Sequence, residues 1–350
     1  MKTVTIAHKT IGEGFPVFII AEAGCNHNGD INRAKKLVDM AVEAGADAVK
    51  FQTFITDELV TQQAEKASYQ KKNTGNAKES QSAMLKKLEL SFDNFKTLKV
   101  YCEHKDIIFL STPFDHRSVD FLDELEIPAF KIASGEITNV PFLSYIACKK
   151  KPVILSTGMS TLEEVEKAEA TLRQTHNAEL VLLHCTSEYP APAEDVNLRA
   201  MDTLYHRFKL PVGFSDHTLG SAIALAAVAL GASVIEKHFT LDRSLPGPDH
   251  RASLEPHQLK ALAKDIRSVE KALGNGIKKP SLSEAKTRLF ARKSIVTATP
   301  IKKGQLLTES NLTVKRPGTG VSPLQWDKVI GRKALRDFEK DELIEIGQIA

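Results

Sequence analysis

The length, composition and charge of this chain exclude several classes of protein. It has 350 residues, of which 42% are hydrophobic and 26% charged, as in an ordinary globular protein and unlike a disordered or collagenous one. Its 47 Lys and Arg residues nearly balance its 44 Asp and Glu residues, so the net charge of +3 indicates no nucleic-acid or membrane partner. The length corresponds to about two domains.

The cysteines and the N-terminal segment indicate the cellular compartment. Cys25, Cys102, Cys148 and Cys185 are scattered without a C-x-x-C pair, which argues against a zinc module or a disulfide framework. The apolar run near the N-terminus is short and ends at Glu22, so we interpret it as neither a signal peptide nor a membrane span. We therefore expect a cytoplasmic protein.

Short β-rich segments alternate with helical segments from Phe15 to about Gly274. Eight of them have the composition and length of buried strands: Val17–Glu22, Ala48–Phe54, Ile107–Thr112, Ala129–Ser134, Val153–Thr157, Leu180–Thr186, Pro211–Ser215 and Ser233–Thr240. Strict alternation of strands and helices predicts a parallel sheet, and eight repeats predict closure into a (β/α)8 TIM barrel. We expect this α/β barrel domain to occupy residues 1–280.

Several of the intervening helices have clear start and stop signals. Asp30 is a candidate N-cap for a helix that Gly45 ends, and the residues Ser160–Glu163 fit a capping box. The apolar helix Leu219–Leu230 ends at Gly231. These signals place helices between the predicted strands, as a barrel requires.

Two regions depart from the alternation. The connection Ile55–Ser91 is polar and about three times the usual loop length, so we expect it to be functional or to carry its own helix. A charged helix, Pro256–Leu273, leads into an exposed linker from about Gly274. Residues 291–350 change to short β-like pieces and predict a small β-rich second domain: Ser294–Ala298, Leu312–Lys315, Lys333–Leu335 and Leu343–Ile346.

Polar side chains recur at the C-terminal ends of the predicted strands, where the active sites of such barrels lie. Alternate strand residues point inward, and at this end the inward set is Glu22, Lys50, Gln52, Thr112, Lys131, Ser156, Ser215, His217, Glu236 and His238. A buried unpaired charge is costly, so we expect the charged members to face a shared polar site and not the helix layer. Lysines with hydroxyls are suited to a phosphate or carboxylate, and two neutral imidazoles can supply part of a metal shell.

Each of these residues has a structural alternative when taken singly. A lysine here could only pair with a neighbouring glutamate, and a histidine could only satisfy hydrogen bonds in the core. Parity and strand-end position agree across seven strands, and this agreement favours a functional site.

Nine sequence motifs resemble those of one enzyme family. They are IIAEAGCNHNGD, VKFQTF, FLSTPFD, FKIASGE, ILSTGMST, HCTSEYPAP, GFSDHTLG, EKHFTLDRSLPGPDH and VKRPGTG. In this order and spacing they resemble the bacterial sialic acid synthases, over nearly the whole chain from Phe15 to about Ile349. Members of that family condense phosphoenolpyruvate with an N-acetylmannosamine-type sugar and water, and release phosphate by C–O cleavage. The resemblance implies a (β/α)8 barrel followed by an antifreeze-like SAF domain (residues 291–350) in a domain-swapped homodimer.

The resemblance also implies roles for individual residues. The implied catalytic residues are Glu22, Lys50, Lys131 and Glu236. The implied ligands of a divalent metal, preferably Mn2+ with Mg2+ or Co2+ as alternatives, are His217 and His238. Contacts to phosphoenolpyruvate or the sugar are implied for Gln52, Asn76, Thr112, Ser134, Ser156, Tyr189, Ser215, Asp249, Phe290 and Arg316. The arginine is expected to reach the active site of the other subunit.

The identity of the sugar depends on the segment after the sixth strand. Sialic (N-acetylneuraminic) acid synthases typically read CTNxYPTP there, whereas this chain reads CTSEYPAP, with Ser187 and Glu188 as the departures. With the loop motifs YQKKNT and MLKKLELS, this version is more similar to legionaminic acid synthases, which use 2,4-diacetamido-2,4,6-trideoxymannose. N-acetylneuraminate synthase is the alternative, and pseudaminate synthase is less favoured.

Two different classes of function also remain open. Lys50 or Lys131 could form an imine with pyruvate in a Schiff-base aldolase. The barrel could instead be a scaffold for a carbohydrate-binding or ice-binding C-terminal module.

Overall fold

The structure is a computed structural model that describes residues 2–174 and 179–350. It divides into two compact units between Gly274 and Asn275, and each unit is described here by itself. Among the described residues, no helix combines the length and the apolar character needed to cross a membrane. The four cysteines are free thiols.

The first unit begins with a hairpin that the sequence analysis did not predict. Strands β1 (Val4–Ile6) and β2 (Lys9–Ile11) pair in antiparallel fashion, with Val4 opposite Ile11. Each strand has only three residues, which is too short for a clear alternating pattern. The local sequence therefore does not predict the hairpin, and its buried side chains are explained by their packing against the barrel.

A parallel sheet of eight strands follows, within the part of the chain that the structure describes. The strands are β3 (Phe18–Gly24), β4 (Ala48–Thr53), β5 (Ile108–Pro113), β6 (Phe130–Ile132), β7 (Val153–Ser156), β8 (Leu180–Cys185), β9 (Val212–Asp216) and β10 (Val234–His238). Their order is β5-β4-β3-β10-β9-β8-β7-β6, and the end strands β5 and β6 contact each other. The eight predicted strands and the (β/α)8 barrel are confirmed.

Helices follow the strands of this sheet, and most of them cover its outside. Those of the first unit are α1 (Ile31–Ala44), α2 (Thr56–Leu59), α3 (Ser68–Thr74), α4 (Gln81–Lys86), α5 (Phe92–His104), α6 (His116–Glu124), α7 (Val140–Ala147), α8 (Leu162–Arg173), α9 (Ala200–Phe208), α10 (Ala222–Ala229) and α11 (Pro256–Leu273). Asp30 caps α1 by accepting from the amide of Asn32, and Gly45 ends the helix with a φ of 79°. Both predicted signals are confirmed.

The predicted capping box of α8 is wrong by one residue. The N-cap is Thr161, whose Oγ1 accepts from the Glu164 amide, while Glu164 Oε2 accepts from the Thr161 amide at 2.8 Å. Ser160 instead donates its hydroxyl to the Gly158 carbonyl, which holds it in the preceding turn. Serine and threonine are both good caps, so the local sequence did not separate them.

The interior of the barrel has an apolar layer below a polar one. Inward side chains near the N-terminal strand ends, such as Phe18 and Val234, pack against Val4, Ile6 and Ile11 of the hairpin. The hairpin therefore closes this end of the barrel. At the other end, the inward positions carry the predicted charged and hydroxyl side chains, so the polar layer lies toward the C-terminal rim.

The long connection after β4 carries three helices, α2, α3 and α4, which confirms that it has secondary structure of its own. Met84 and Leu88 of this connection pack with Phe54 and Cys25, which follow the ends of β4 and β3. The connection therefore forms an apolar wall above the rim.

The second unit is small and has its own core. It contains α12 (Glu284–Ala291), β11 (Ser294–Thr297), β12 (Leu312–Lys315) and α13 (Trp326–Val329). Two of the four predicted β-like pieces form the β11–β12 ladder. The other two form only isolated bridges, such as Leu306 with Lys333 and Val296 with Leu343. Helix α12 lies inside the segment that was interpreted as a linker.

Candidate active site

A cavity of about 460 Å3 lies at the C-terminal ends of the barrel strands. Its lining includes thirteen of the sixteen predicted site residues: Glu22, Lys50, Gln52, Thr112, Lys131, Ser134, Ser156, Tyr189, Ser215, His217, Glu236, His238 and Asp249. They come from all eight strands or from the loops that follow them. The barrel brings these residues together although the chain separates them widely.

Lys50 on β4 lies among acidic and hydroxyl groups. Its Nζ is 2.6 Å from Glu22 Oε2 and 3.6 Å from Glu236 Oε2, and it donates to Thr112 Oγ1 at 3.1 Å. All four side chains are almost fully buried. This cluster joins β3, β4, β5 and β10 at one level of the barrel.

Lys131 on β6 also contacts Glu236 in this cavity. Its Nζ is 3.5 Å from Glu236 Oε1 and donates to Ser156 Oγ at 2.8 Å. Ser215 Oγ donates to the same Glu236 oxygen at 2.8 Å. Glu236 therefore lies between two lysines, with hydroxyl groups from β7 and β9 beside it.

Ser134 directs a further hydroxyl group to the cavity. Its Oγ accepts from the Gly158 amide at 3.0 Å and is 3.1 Å from Cys185 Sγ. A Cβ atom at Gly158 would overlap Ser187 Oγ and press on both of these atoms. Only glycine leaves room for this close approach, which explains the glycine at the end of β7.

The two carboxyl groups differ in their pKa although they share the cavity. Burial raises the pKa of Glu22 to about 7, and the attraction of Lys50 offsets only part of that rise. Burial also acts to raise the pKa of Glu236, but Lys131 and Lys50 outweigh it and lower it to about 2. Glu236 is therefore ionised at neutral pH, while Glu22 is near its midpoint and suited to proton transfer.

Burial and neighbouring charges shift the pKa values of the two lysines in opposite directions. Burial acts to lower the pKa of Lys50, but Glu22 and Glu236 more than compensate and raise it. Burial lowers the pKa of Lys131, with partial compensation from Glu236. Glu236 is ionised and Glu22 is only partly ionised at neutral pH, and both face the two lysines. The site is therefore suited to an anionic ligand.

His217 and His238 face the cavity from adjacent strands, with ring centroids 5.5 Å apart. His217 Nδ1 lies 2.7 Å from the Thr186 carbonyl oxygen. Because a carbonyl only accepts, Nδ1 carries the proton and Nε2 is the unprotonated nitrogen, 3.3 Å from Ser215 Oγ. Burial lowers the pKa of His217 to about 4 and that of His238 well below its ordinary value. Both rings are neutral, as metal ligands must be.

These two imidazoles fit a divalent metal whose other positions are left to water and substrate. His238 Nδ1 is buried and, among the described residues, has no hydrogen-bond partner. Within residues 2–174 and 179–350, no group of three or more His, Cys, Asp or Glu side chains is placed to hold a metal ion. The donor set is therefore a partial shell, as expected from the sequence.

Residues 37–278 match the model of the NeuB family, and residues 292–350 match that of the SAF domain. This chain belongs to the NeuB family. It is 53% identical to "N,N'-diacetyllegionaminic acid synthase" of Campylobacter jejuni, over 93% of this chain and 98% of the relative. It is 50% identical to the Legionella pneumophila protein of the same name, over 93% and 92%. The solved N-acetylneuraminic acid (sialic acid) synthetase from Leptospira borgpetersenii, in complex with citrate, is 37% identical with a TM-score of 0.72, covering 82% of this chain and 95% of that one.

Three predicted residues lie outside the cavity lining of this NeuB family member. Asn76 is exposed, and its Oδ1 accepts from the amides of Lys78 and Glu79 in a local turn. Phe290 and Arg316 belong to the second unit, where both are exposed. Arg316 Nε donates to the Ala291 carbonyl at 3.1 Å. The roles of these three residues stay predictions.

Asn73, three residues before Asn76, is held by the loop that follows β10. It is buried, and its Nδ2 donates to the Pro248 carbonyl at 2.6 Å, next to Asp249. Helix α3 buries Asn73 together with Gln70, one turn earlier on the same face.

An aromatic group completes the cavity on the histidine side. The Tyr189 ring stacks on His217 at 4.1 Å and lies 5.1 Å from the Tyr69 ring. Tyr69 comes from α3 and was not predicted, because aromatic residues in a long polar loop give no positional signal. Burial raises the pKa of the neighbouring Asp249 to about 6.

Proposed function

We propose that this chain condenses phosphoenolpyruvate with an open-chain N-acetylmannosamine-type sugar and water, giving a nonulosonic acid and phosphate by C–O cleavage. The observation that carries the proposal is the convergence of Lys50, Lys131, Glu22 and two neutral histidines on one buried cavity. The names of the two relatives at 50–53% identity support the same reaction.

We assign the binding of phosphoenolpyruvate to the lysine side of the cavity. Lys131 with Ser134 and Ser156 offers a charge and two hydroxyl groups to a phosphate, and Lys50 with Thr112 offers the same chemistry to a carboxylate. Both lysines are already held in place by hydrogen bonds. The anion therefore replaces water in a site that needs little rearrangement.

The residues around Glu22 are suited to the charge that develops during the reaction. C3 of the enol forms a bond to the aldehyde carbon, and positive charge appears at C2. The buried carboxylates Glu22 and Glu236 stabilise that charge. Water then adds to C2 and gives one proton to Glu22, which passes it to the alkoxide at the former aldehyde carbon. The C2–O bond to phosphate then breaks, the electron pair leaves on phosphate, and the remaining proton of the C2 hydroxyl is taken up by the departing phosphate as C2 becomes a carbonyl.

We assign a divalent metal, preferably Mn2+, to His217 and His238. When bound, it would act as a Lewis acid on the sugar carbonyl. The Thr186 carbonyl holds His217 with Nε2 unprotonated, and Tyr189 packs against its ring. This chain therefore presents both imidazoles ready for ligation, without a prior proton loss.

We propose 2,4-diacetamido-2,4,6-trideoxymannose as the sugar. The lining contains an apolar wall that suits acetamido and deoxy methyl groups: Phe54, Leu59, Met84, Leu85, Leu88 and Phe114. Among the described lining residues, Lys50 and Lys131 are the only lysines or arginines. Both are assigned to phosphoenolpyruvate, so the described lining offers no further cation for a phosphorylated sugar.

We further propose a cytoplasmic, domain-swapped homodimer in which Phe290 and Arg316 complete the site of the other subunit. Phosphoenolpyruvate is a cytoplasmic metabolite, and four free cysteines suit a reducing compartment. The exposure of Phe290, at 73%, supports a partner surface on α12.

Phosphate release from phosphoenolpyruvate, measured with a panel of sugars, tests the proposed function. We expect the diacetamido sugar to react best, N-acetylmannosamine to react more slowly, and its 6-phosphate to be poorest. A preference for the 4-hydroxyl sugar would favour an N-acetylneuraminate synthase. Release that persists undiminished in EDTA would contradict the metal, and a borohydride-trapped pyruvate adduct without phosphate release would favour the aldolase.

A further inference from the structure

A buried lysine lies directly behind the two histidines, on the far side of the barrel wall. Lys237 on β10 points away from the cavity, because its neighbours Glu236 and His238 point into it. It is 1% exposed. Lys237 was not in the inward set predicted from the sequence, and the alternation along β10 places it on the outer face. This buried charge has its partner on the neighbouring strand β9.

The groups that Lys237 contacts belong to the two residues next to His217 in the sequence, Asp216 and Thr218. Lys237 Nζ is 2.8 Å from Asp216 Oδ2 and donates to the Thr218 carbonyl at 2.5 Å. Asp216 Oδ1 in turn accepts from the Thr218 amide at 2.9 Å and from Thr218 Oγ1 at 2.8 Å. We call Lys237, Asp216 and Thr218 the brace. It contacts the chain on both sides of His217 and starts from the residue before His238.

The backbone alone does not fix His217 against β10. The pairing of β9 with β10 ends at Asp216 and Lys237, so His217 lies beyond the last paired residue. The bond from Lys237 to the Thr218 carbonyl extends the connection between the two strands past this point. The ring of His217 is oriented by Thr186 and Tyr189, and its carbonyl accepts from the Ala191 amide at 3.0 Å. The brace holds the residues on both sides of it.

Stability is a weak explanation for a buried ion pair at this place. Apolar residues of similar volume often replace such a pair without loss of stability, because both charges must be desolvated. A better-attested use of buried polar groups is to fix one arrangement of the elements that they join. Neither Lys237 nor Asp216 lines the cavity, so the brace acts only through the histidines that it separates.

We propose that the brace is a positioning device that holds His217 and His238 at the separation that one shared divalent cation requires. The inference rests on the proposed function, in which these histidines bind the metal. Groups that orient metal ligands from behind typically change metal affinity 10–100-fold when they are removed, roughly the effect we expect here.

The test is direct titration of metal-stripped, full-length protein with Mn2+, following the signal of free Mn2+ by electron paramagnetic resonance. The double variant Lys237→Met with Asp216→Asn removes both charges and keeps an acceptor for Thr218. We expect Mn2+ affinity to fall roughly 10–100-fold. The affinity of the metal-free variant for phosphoenolpyruvate, measured by calorimetry, should stay at the parent value. Lys149→Met, which removes an ion pair with Asp120 on the outer helices, is the matched control.

The outcomes separate the brace from the metal assignment. If His217→Ala loses Mn2+ and the double variant binds it as tightly as the parent, the inference is overturned. If His217→Ala and His238→Ala both bind Mn2+ like the parent, the proposed metal site fails and the inference fails with it. Should the double variant not fold, Thr218→Val removes one hydrogen bond to Asp216, and parent affinity there would equally contradict the brace.

Discussion

At the scale of single residues, the chemistry depends on charges that are buried but paired. Lys50, Lys131 and Glu236 are each at most 3% exposed, and every one of them has an oppositely charged group within 4 Å. Such a cluster costs less to bury than its members would singly, and it presents hydrogen-bond donors that are already oriented. An anionic ligand therefore binds to donors that need no further reorientation.

Replacement of Lys131 tests the anion site. In Lys131→Met, Ser156 loses its donor and Glu236 loses one of its two cations. We expect kcat/KM for phosphoenolpyruvate to fall about 100–1,000-fold, the usual cost of removing one preorganised donor. Steady-state kinetics with Lys149→Met as the control check this, and a loss below tenfold would contradict the assignment.

The pH dependence of stability tests the burial of Asp249. Burial raises its pKa from 3.8 to about 6 in the folded protein. A folded-state pKa above the unfolded one contributes stability that is fully present below the unfolded pKa and is lost as pH rises through the folded pKa.

The free energy of unfolding of the parent, relative to Asp249→Asn, should therefore fall between about pH 4 and pH 6 by at most about 3 kcal/mol, and then stay level. Urea unfolding at several pH values measures this, with the exposed carboxyl variant Asp265→Asn as the control. A difference that does not change with pH would contradict the burial.

At the scale of elements, the N-terminal hairpin has a structural task. Ile6 is 0% exposed and packs against the apolar layer of the barrel interior. We expect Ile6→Ala to lower the free energy of unfolding by about 2–5 kcal/mol, because a buried cavity is created. The KM values should not change, since the hairpin is at the opposite end of the barrel from the site. Chemical denaturation of Ile6→Ala beside Thr5→Ala, at an exposed position, checks both points.

The barrel could be predicted from the sequence because eight short β-rich segments alternate regularly with helical segments. All eight strands were found, and the alternation of side chains along each strand placed Lys50, Lys131 and His238 on the inner face. The sequence did not reveal β1 and β2, which are only three residues long. It did not reveal the brace either, because alternation places Lys237 on the outer face but does not say which residue it pairs with there. Tyr69 was missed for another reason: it reaches the cavity through the fold of a long loop, and no local pattern determines the path of that loop.

At the scale of the whole molecule, the proposed dimer makes a prediction about mixtures. If the Arg316 of one subunit completes the site of the other, Arg316→Ala and Lys131→Ala are each inactive alone but complementary when mixed. Random pairing makes half of the dimers mixed, each with one intact site, so about a quarter of the parent activity should return. Native mass spectrometry verifies the mixed dimers, and inactivity of a verified mixture would argue that Arg316 acts within its own subunit.

The most direct test of the account follows one oxygen atom. Phosphoenolpyruvate carrying 18O in the bridge between C2 and phosphorus is incubated with the enzyme, Mn2+ and the diacetamido sugar, and the products are analysed by mass spectrometry. We predict that the released phosphate carries the label, because the C2–O bond breaks after water adds to C2. Unlabelled phosphate with 18O retained in the sugar acid, or no phosphate at all, would contradict the proposed reaction.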